Sequence, residues 1–122
     1  LKADNYRIAD GSGLSLYNYV SPELLTMLLR YAWQQPAIRD ALLASLPIAG
    51  VDGTLKDRMR GASTKGNVRA KTGTLTGISS LAGYCTAADG HELCFAIINQ
   101  GVLRNQPGRN FQDRVCRVLC GD

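Results

Sequence analysis

The chain is short of the residues that most catalytic centres are built from. None of its serines, Ser12, Ser15, Ser21, Ser45, Ser63, Ser79 and Ser80, has a lysine three positions on or an asparagine two positions on. S-x-x-K and S-x-N are therefore absent, and with them a nucleophile held beside its base within this chain. The one histidine, His91, follows Asp89-Gly90 at an expected hairpin tip, where a solvated turn residue is the simpler reading than a general base. Cys85, Cys94, Cys116 and Cys120 lack the paired C-x-x-C spacing of structural zinc sites, so no metal and no cofactor is assigned. No apolar run approaches the roughly 18 residues of a membrane span, and no signal peptide is visible. Charge of one sign is also scarce: 14 Lys+Arg against 10 Asp+Glu give +4, too mild and dispersed to imply nucleic acid. The chain opens on Leu1 without methionine, as a processed or truncated product does.

A 45% hydrophobic content over 122 residues suffices for one core, so residues 1–122 are expected to form one unit. Tyr6–Ala9 reads as a short strand, followed by the turn cluster Asp10-Gly11-Ser12-Gly13. Ser21 is a good N-cap and Pro22 a costless first-turn proline. With Leu24, Leu25, Leu28, Leu29 and Trp33 at helical spacing, they predict a helix over Pro22–Gln34. Pro36 restarts a second helix through Ser45, closed by Leu46-Pro47. Residues 49–67, rich in glycine and charge, form a loop-rich connection with a helical turn near Leu55–Met59. The basic stretch Lys56, Arg58, Arg60, Lys65, Arg69 and Lys71 is read first as a solvated face.

Strands follow over Val68–Thr74, Ser79–Ala87 and Glu92–Asn99. Asp89-Gly90 signals a two-residue type I′ hairpin, which places Cys85 opposite Cys94. Both faces of these strands are apolar, so both need cover. A helix over Asn110–Cys120, with Phe111, Val115, Val118 and Leu119 at helical spacing, supplies part of it. The expected fold class is α+β, an antiparallel sheet flanked by helices in the order β-α-α-β-β-β-α.

The candidate binding residues are Lys71, Thr72, Gly73 and Thr74. An ammonium and a hydroxyl on one edge strand donate to an anion, and a bare α-carbon lets a ligand backbone lie against the strand. The amide of Thr74 is placed to enter an oxyanion hole. A Lys-Thr-Gly triplet alone is a weak match, but it stands in the third of four collinear blocks: Ala9–Ser15 with Asn18, Leu46–Leu55, Val68–Leu75 and Leu81–Tyr84.

Together the four blocks resemble the C-terminal third of the class C low-molecular-mass penicillin-binding proteins, the S13-type D-alanyl-D-alanine carboxypeptidase/endopeptidases. The resemblance implies part of the penicillin-binding-protein/β-lactamase-like transpeptidase fold. It also implies an intact serine peptidase whose nucleophile and base lie upstream of Leu1, leaving no catalytic residue in this chain and the fragment inactive alone. Lys71, Thr72, Gly73 and Thr74 would bind the substrate. The implied partners are a peptidoglycan stem peptide ending in D-Ala-D-Ala, β-lactams and the missing N-terminal part, in a periplasmic or extracytoplasmic setting. That setting permits a Cys85–Cys94 disulfide, with two buried thiols as the equal alternative. A non-catalytic module that docks peptidoglycan peptides through Arg58, Arg60 and Lys71 is the alternative function. A serine β-lactamase fragment shares the triplet but not the other blocks.

Overall fold

The computed structural model describes residues 21–75, 77–101 and 104–121, so the strand expected at Tyr6–Ala9 lies outside the described residues. Within them the order is α1 (Pro22–Gln34), α2 (Pro36–Ser45), a 3-10 turn at Gly53–Leu55, β1 (Arg69–Leu75), β2 (Ile78–Thr86), β3 (Glu92–Gln100) and α3 (Asn105–Leu119). The strands form one antiparallel sheet in the order β1-β2-β3. The α+β expectation holds, with α1 on one face of the sheet and α3 on the other.

Both proline-led helices start and stop where local chemistry dictates. The Ser21 hydroxyl accepts from the Leu24 amide at 3.1 Å, capping α1. α1 stops at Gln34 because Gln35 precedes a proline and takes extended angles, φ −108° and ψ 100°. α1 is fastened to the sheet through Tyr84, whose hydroxyl donates to the Leu29 carbonyl at 2.7 Å and whose ring lies 5.2 Å from that of Trp33. α2 buries no residue fully.

The β2–β3 hairpin departs from expectation by one residue. Ala87 donates its amide to the His91 carbonyl at 2.8 Å and accepts from the Gly90 amide at 2.9 Å, so the loop is Ala88, Asp89 and Gly90. At this tip Gly90 alone has positive φ, +90°, whereas a type I′ turn requires two such residues. Tyr84 therefore stands opposite Cys94, and Cys85 opposite Leu93. A one-residue slip turns every side chain of the strand to the other face. Cys85 shares the α3 face with Leu81, Leu93, Phe95 and Ile97, while Cys94 shares the α1 face with Ala82, Tyr84, Ala96 and Ile98. The Cys85–Cys94 disulfide is thereby excluded, and no disulfide links any of the four cysteines in this structure.

α3 begins five residues before the expected Asn110. Pro107 falls in its first turn, where the missing amide hydrogen costs no helical bond. Gly108 brings the helix close: a Cβ there would sit 3.4 Å from the Ser79 Cβ. The stripe turned to the sheet is Gly108, Gln112 and Cys116, not Phe111 and Val118, which are 44% and 70% exposed. A buried glutamine is tolerated because every polar atom of its amide is partnered. Gln112 Nε2 donates to Ser79 Oγ at 3.1 Å and to Asn99 Oδ1 at 3.0 Å, and its Oε1 accepts from Arg58 Nη2 at 3.1 Å. Around this network Leu55, Val68 and Leu81 are fully buried, each stabilising the fold by about 1.5–3 kcal/mol relative to an exposed side chain.

Candidate functional site

β1 is an edge strand, bonded to β2 along one side. Among the described residues its outer side is covered only at the start. The Ala49 amide donates to the Val68 carbonyl at 2.8 Å, the Ala70 amide donates to the Pro47 carbonyl at 3.0 Å, and Ile48 bridges Arg69. Past Ala70 no described strand pairs with this side. Backbone groups of a strand alternate in direction, so the amides of Thr72 and Thr74 face the same open side as that of Ala70.

The predicted site residues share this open stretch. Lys71 is exposed, and its amine donates to the Thr72 carbonyl at 2.6 Å, which places it at the lip of the sheet and out of the packing. The Thr72 hydroxyl donates to Thr54 Oγ1 at 3.1 Å. Thr74 is exposed. Gly73 has a use the sequence did not suggest: a Cβ there would lie 2.5 Å from Ser80 Oγ. The bare α-carbon thus makes room for the neighbouring strand's hydroxyl, whatever lies along the edge. The block Ala9–Ser15 with Asn18 lies outside the described residues.

Thr54 is a neighbour of the candidate site that sequence reasoning missed. It sits on the 3-10 turn, anchored by fully buried Leu55. The turn is shaped by Asp52, whose Oδ1 accepts from the Ile48 amide at 2.7 Å, and by Gly53 at φ +56° beside the Pro47 ring. The Leu46–Leu55 block thus forms a strap along β1. Its inclusion among the four blocks was the only signal, and a hydroxyl pair eighteen residues apart leaves none in spacing.

Two other sequence readings change or hold. Arg58 is not part of a solvated face: its guanidinium pairs with Asp113 at 2.6 Å and donates to the Arg109 carbonyl at 3.3 Å. It is structural and leaves the set of residues available to a ligand. His91 is an exposed turn residue as read, bonded through Nδ1 to Asp89 Oδ2 at 2.7 Å. The backbone and ring bonds from His91 hold the Asp89 carboxyl below the usual carboxylate range. A groove of about 660 Å³ lies between the 59–64 turn and α3, bordered by Met59, Arg60, Thr64, Asp113 and Arg117, and none of Lys71–Thr74 lines it.

Residues 1–120 match the family model of D-Ala-D-Ala carboxypeptidase 3 (S13). This chain belongs to the S13 family. A D-alanyl-D-alanine carboxypeptidase of Actinomadura sp. (strain R39) is 46% identical over 97 residues, 75% of this chain and 18% of that protein. The D-alanyl-D-alanine carboxypeptidase DacB of Haemophilus influenzae is 40% identical over 98 residues, 78% of this chain and 20% of that protein. The crystal structure of penicillin binding protein 4 (dacB) from H. influenzae superposes with a TM-score of 0.85 at 34% identity, over 95% of this chain and 28% of that one. A TLA-3 extended-spectrum β-lactamase shares the fold alone, with a TM-score of 0.64 at 18% identity over 88% of this chain and 42% of that one. The S13 chain spans about a fifth to a quarter of the length of the curated relatives it matches. Its sheet and helices form part of the penicillin-binding-protein/β-lactamase-like fold.

Proposed function

We propose that residues 1–122 are the C-terminal portion of the transpeptidase-like domain of a serine-type D-alanyl-D-alanine carboxypeptidase, working on peptidoglycan stem peptides outside the cytoplasmic membrane. The observation that carries this reading is the outer side of β1 from Lys71 onward, left unpaired among the described residues, where an amine, a hydroxyl and two outward amides lie together. In the proposed reaction a serine supplied by the upstream part attacks the penultimate D-Ala carbonyl. Lys71 and Thr72 hold the terminal carboxylate, the amine exchanging its bond to the Thr72 carbonyl for a charge-assisted bond to the substrate. The Thr74 amide receives the developing oxyanion. β-Lactams occupy the same edge through their own carboxylate. The fragment alone has no nucleophile and is silent. The non-catalytic docking reading is the weaker one, because Arg58, one of the three cations it needs, is committed to Asp113.

Labelling with a fluorescent penicillin tests the proposal. The full-length protein is expected to take an SDS-stable label, and Lys71→Ala to lose most of it while keeping its thermal transition. Covalent labelling of the 122-residue chain by itself would contradict the assignment of the nucleophile, and an unlabelled full-length protein would contradict the activity.

A further inference from the structure

We propose that Cys85 and Cys120 are the halves of a disulfide that fastens the end of α3 to β2, in an oxidising setting that rests on the extracytoplasmic reading above. The hairpin register removes Cys94 from consideration: it lies on the α1 face, with its sulfur 3.8 Å from the Thr26 carbonyl. The α3 face instead gathers Cys85, Cys116 and Cys120 in one core cluster, at 2%, 0% and 6% exposure. Gly121, next in the chain to Cys120, packs tightly against Ala88, three residues past Cys85 on the same hairpin, and the Cys120 thiol is among the groups that raise the Cys85 thiol, so the two thiols lie near each other across the strand–helix interface.

Cys116 is the poorer partner for Cys120. Residues four apart on a helix hold their Cβ atoms about 5–6 Å apart, beyond the roughly 3.5–4.5 Å that a disulfide spans. Cys120 is also better placed to adjust, because it is the C-cap of α3, with φ −85° and ψ 1°. The chain just beyond it is held in place. Gly121 has φ +99°, and a Cβ there would sit 2.5 Å from the Ala88 Cβ, so the helix end lies tight against the β2–β3 loop. Among the described residues no three His, Cys, Asp or Glu side chains are placed to hold a metal ion, which leaves thiol chemistry for this cluster.

Burial, with Cys120 close by, pushes the Cys85 thiol up to about 12, and burial does the same to Cys116. A thiol so protonated is a poor nucleophile at neutral pH. The bond therefore forms before the core closes or when the last turn of α3 frays. The oxidant is a disulfide carrier, a protein or small-molecule X–S–S–X. The Cys120 thiolate attacks one carrier sulfur, giving a mixed disulfide and X–S⁻. The Cys85 thiolate then attacks the Cys120 sulfur, closing the protein bond and expelling the second X–S⁻. The two protons leaving the protein thiols end on the two carrier thiols, so two cysteines are oxidised and one carrier disulfide is reduced.

Peptide mapping of the full-length protein, exported to an oxidising compartment and alkylated in denaturant without reduction, tests the assignment. Trypsin cuts after Lys71, Arg104, Arg114 and Arg117, separating 72–104 with Cys85 and Cys94, 115–117 with Cys116, and a peptide beginning at Val118 with Cys120. The expected result is 72–104 joined to the Val118 peptide, fragmentation placing the link at Cys85, with Cys94 and Cys116 alkylated. Reduction should release both peptides. Alkylation of both Cys85 and Cys120 without reduction, or a link involving Cys94 or Cys116, overturns the inference. The same preparation is assayed with an acyl-D-Ala-D-Ala peptide. Turnover without the joined peptide removes the disulfide and leaves the carboxypeptidase reading intact, whereas the joined peptide without turnover supports the disulfide and counts against that reading.

Discussion

The Thr72 hydroxyl donates to the Thr54 hydroxyl across 3.1 Å, and so the strap before β1 holds the Thr72 oxygen in place; in the proposed reaction its single proton turns to the carboxylate and it accepts from Thr54 instead. A hydrogen bond of this kind is worth about 0.5–1.5 kcal/mol net, or roughly 2–10-fold in rate. Thr54→Val in the intact enzyme is expected to lower kcat/KM for an acyl-D-Ala-D-Ala peptide by about that factor, and Thr54→Ser to restore it. An unchanged kcat/KM in the valine variant would remove Thr54 from the positioning of substrate.

Gly83 controls how closely β1 lies against β2. It is paired with Ala70, and a Cβ there would collide with the Arg69 carbonyl and come within 2.6 Å of the Ala70 Cα. Both are backbone atoms of the strand that carries the candidate site, so neither can yield without shifting β1. Gly83→Ala is expected to destabilise the protein by about 3 kcal/mol or more and to abolish penicillin labelling with it. A thermal transition within a degree or so of wild type would show that β1 has room to move.

Arg58 binds the loop before β1 to α3 through Asp113 and Gln112, with its side chain 13% and that of Asp113 26% exposed. Removing one partner of a largely buried, hydrogen-bonded ion pair leaves the other unsatisfied. Arg58→Ala is expected to cost about 2–3 kcal/mol in urea unfolding, while exposed Lys56→Ala stays within about 0.5 kcal/mol. Equal effects from the two variants would mean the pair is solvated in solution.

The thiols predict an alkaline weakness. Cys85 and Cys116 are raised to about 12, first by burial, and Tyr84 is raised by burial and then by Cys94. A group that holds its proton more tightly when folded contributes stability that is complete below its unfolded value, about 8.5 for a thiol. That contribution is lost as pH climbs toward the folded value. The reduced protein is therefore expected to lose thermal stability between about pH 9 and 12, measured by melts in the presence of a reductant. Cys116→Ala should flatten the decline, and a flat profile in the unsubstituted protein would place these thiols in contact with water.

The sequence alone was enough for what depends on neighbouring residues. Ser21 with Pro22 begins α1, Pro36 divides it from α2, and Pro47 stops α2. The pattern from Val68 marked the strand that carries Lys71-Thr72-Gly73, because capping, fixed proline angles and strand alternation act within a few residues. Tertiary structure decided the rest. Asp89-Gly90 suits a two-residue or a three-residue loop, and the pairing along β2 and β3 chose the longer one, sending Cys94 to the α1 face and leaving Cys85 with Cys116 and Cys120. Which stripe of α3 meets the sheet was settled by partners for Gln112 on Arg58, Ser79 and Asn99 and by the close approach at Gly108. Apolar spacing favoured Phe111 and Val118 instead. Burial free energy is a property of the closed core and of groups distant in the chain, so no local pattern of residues contains it.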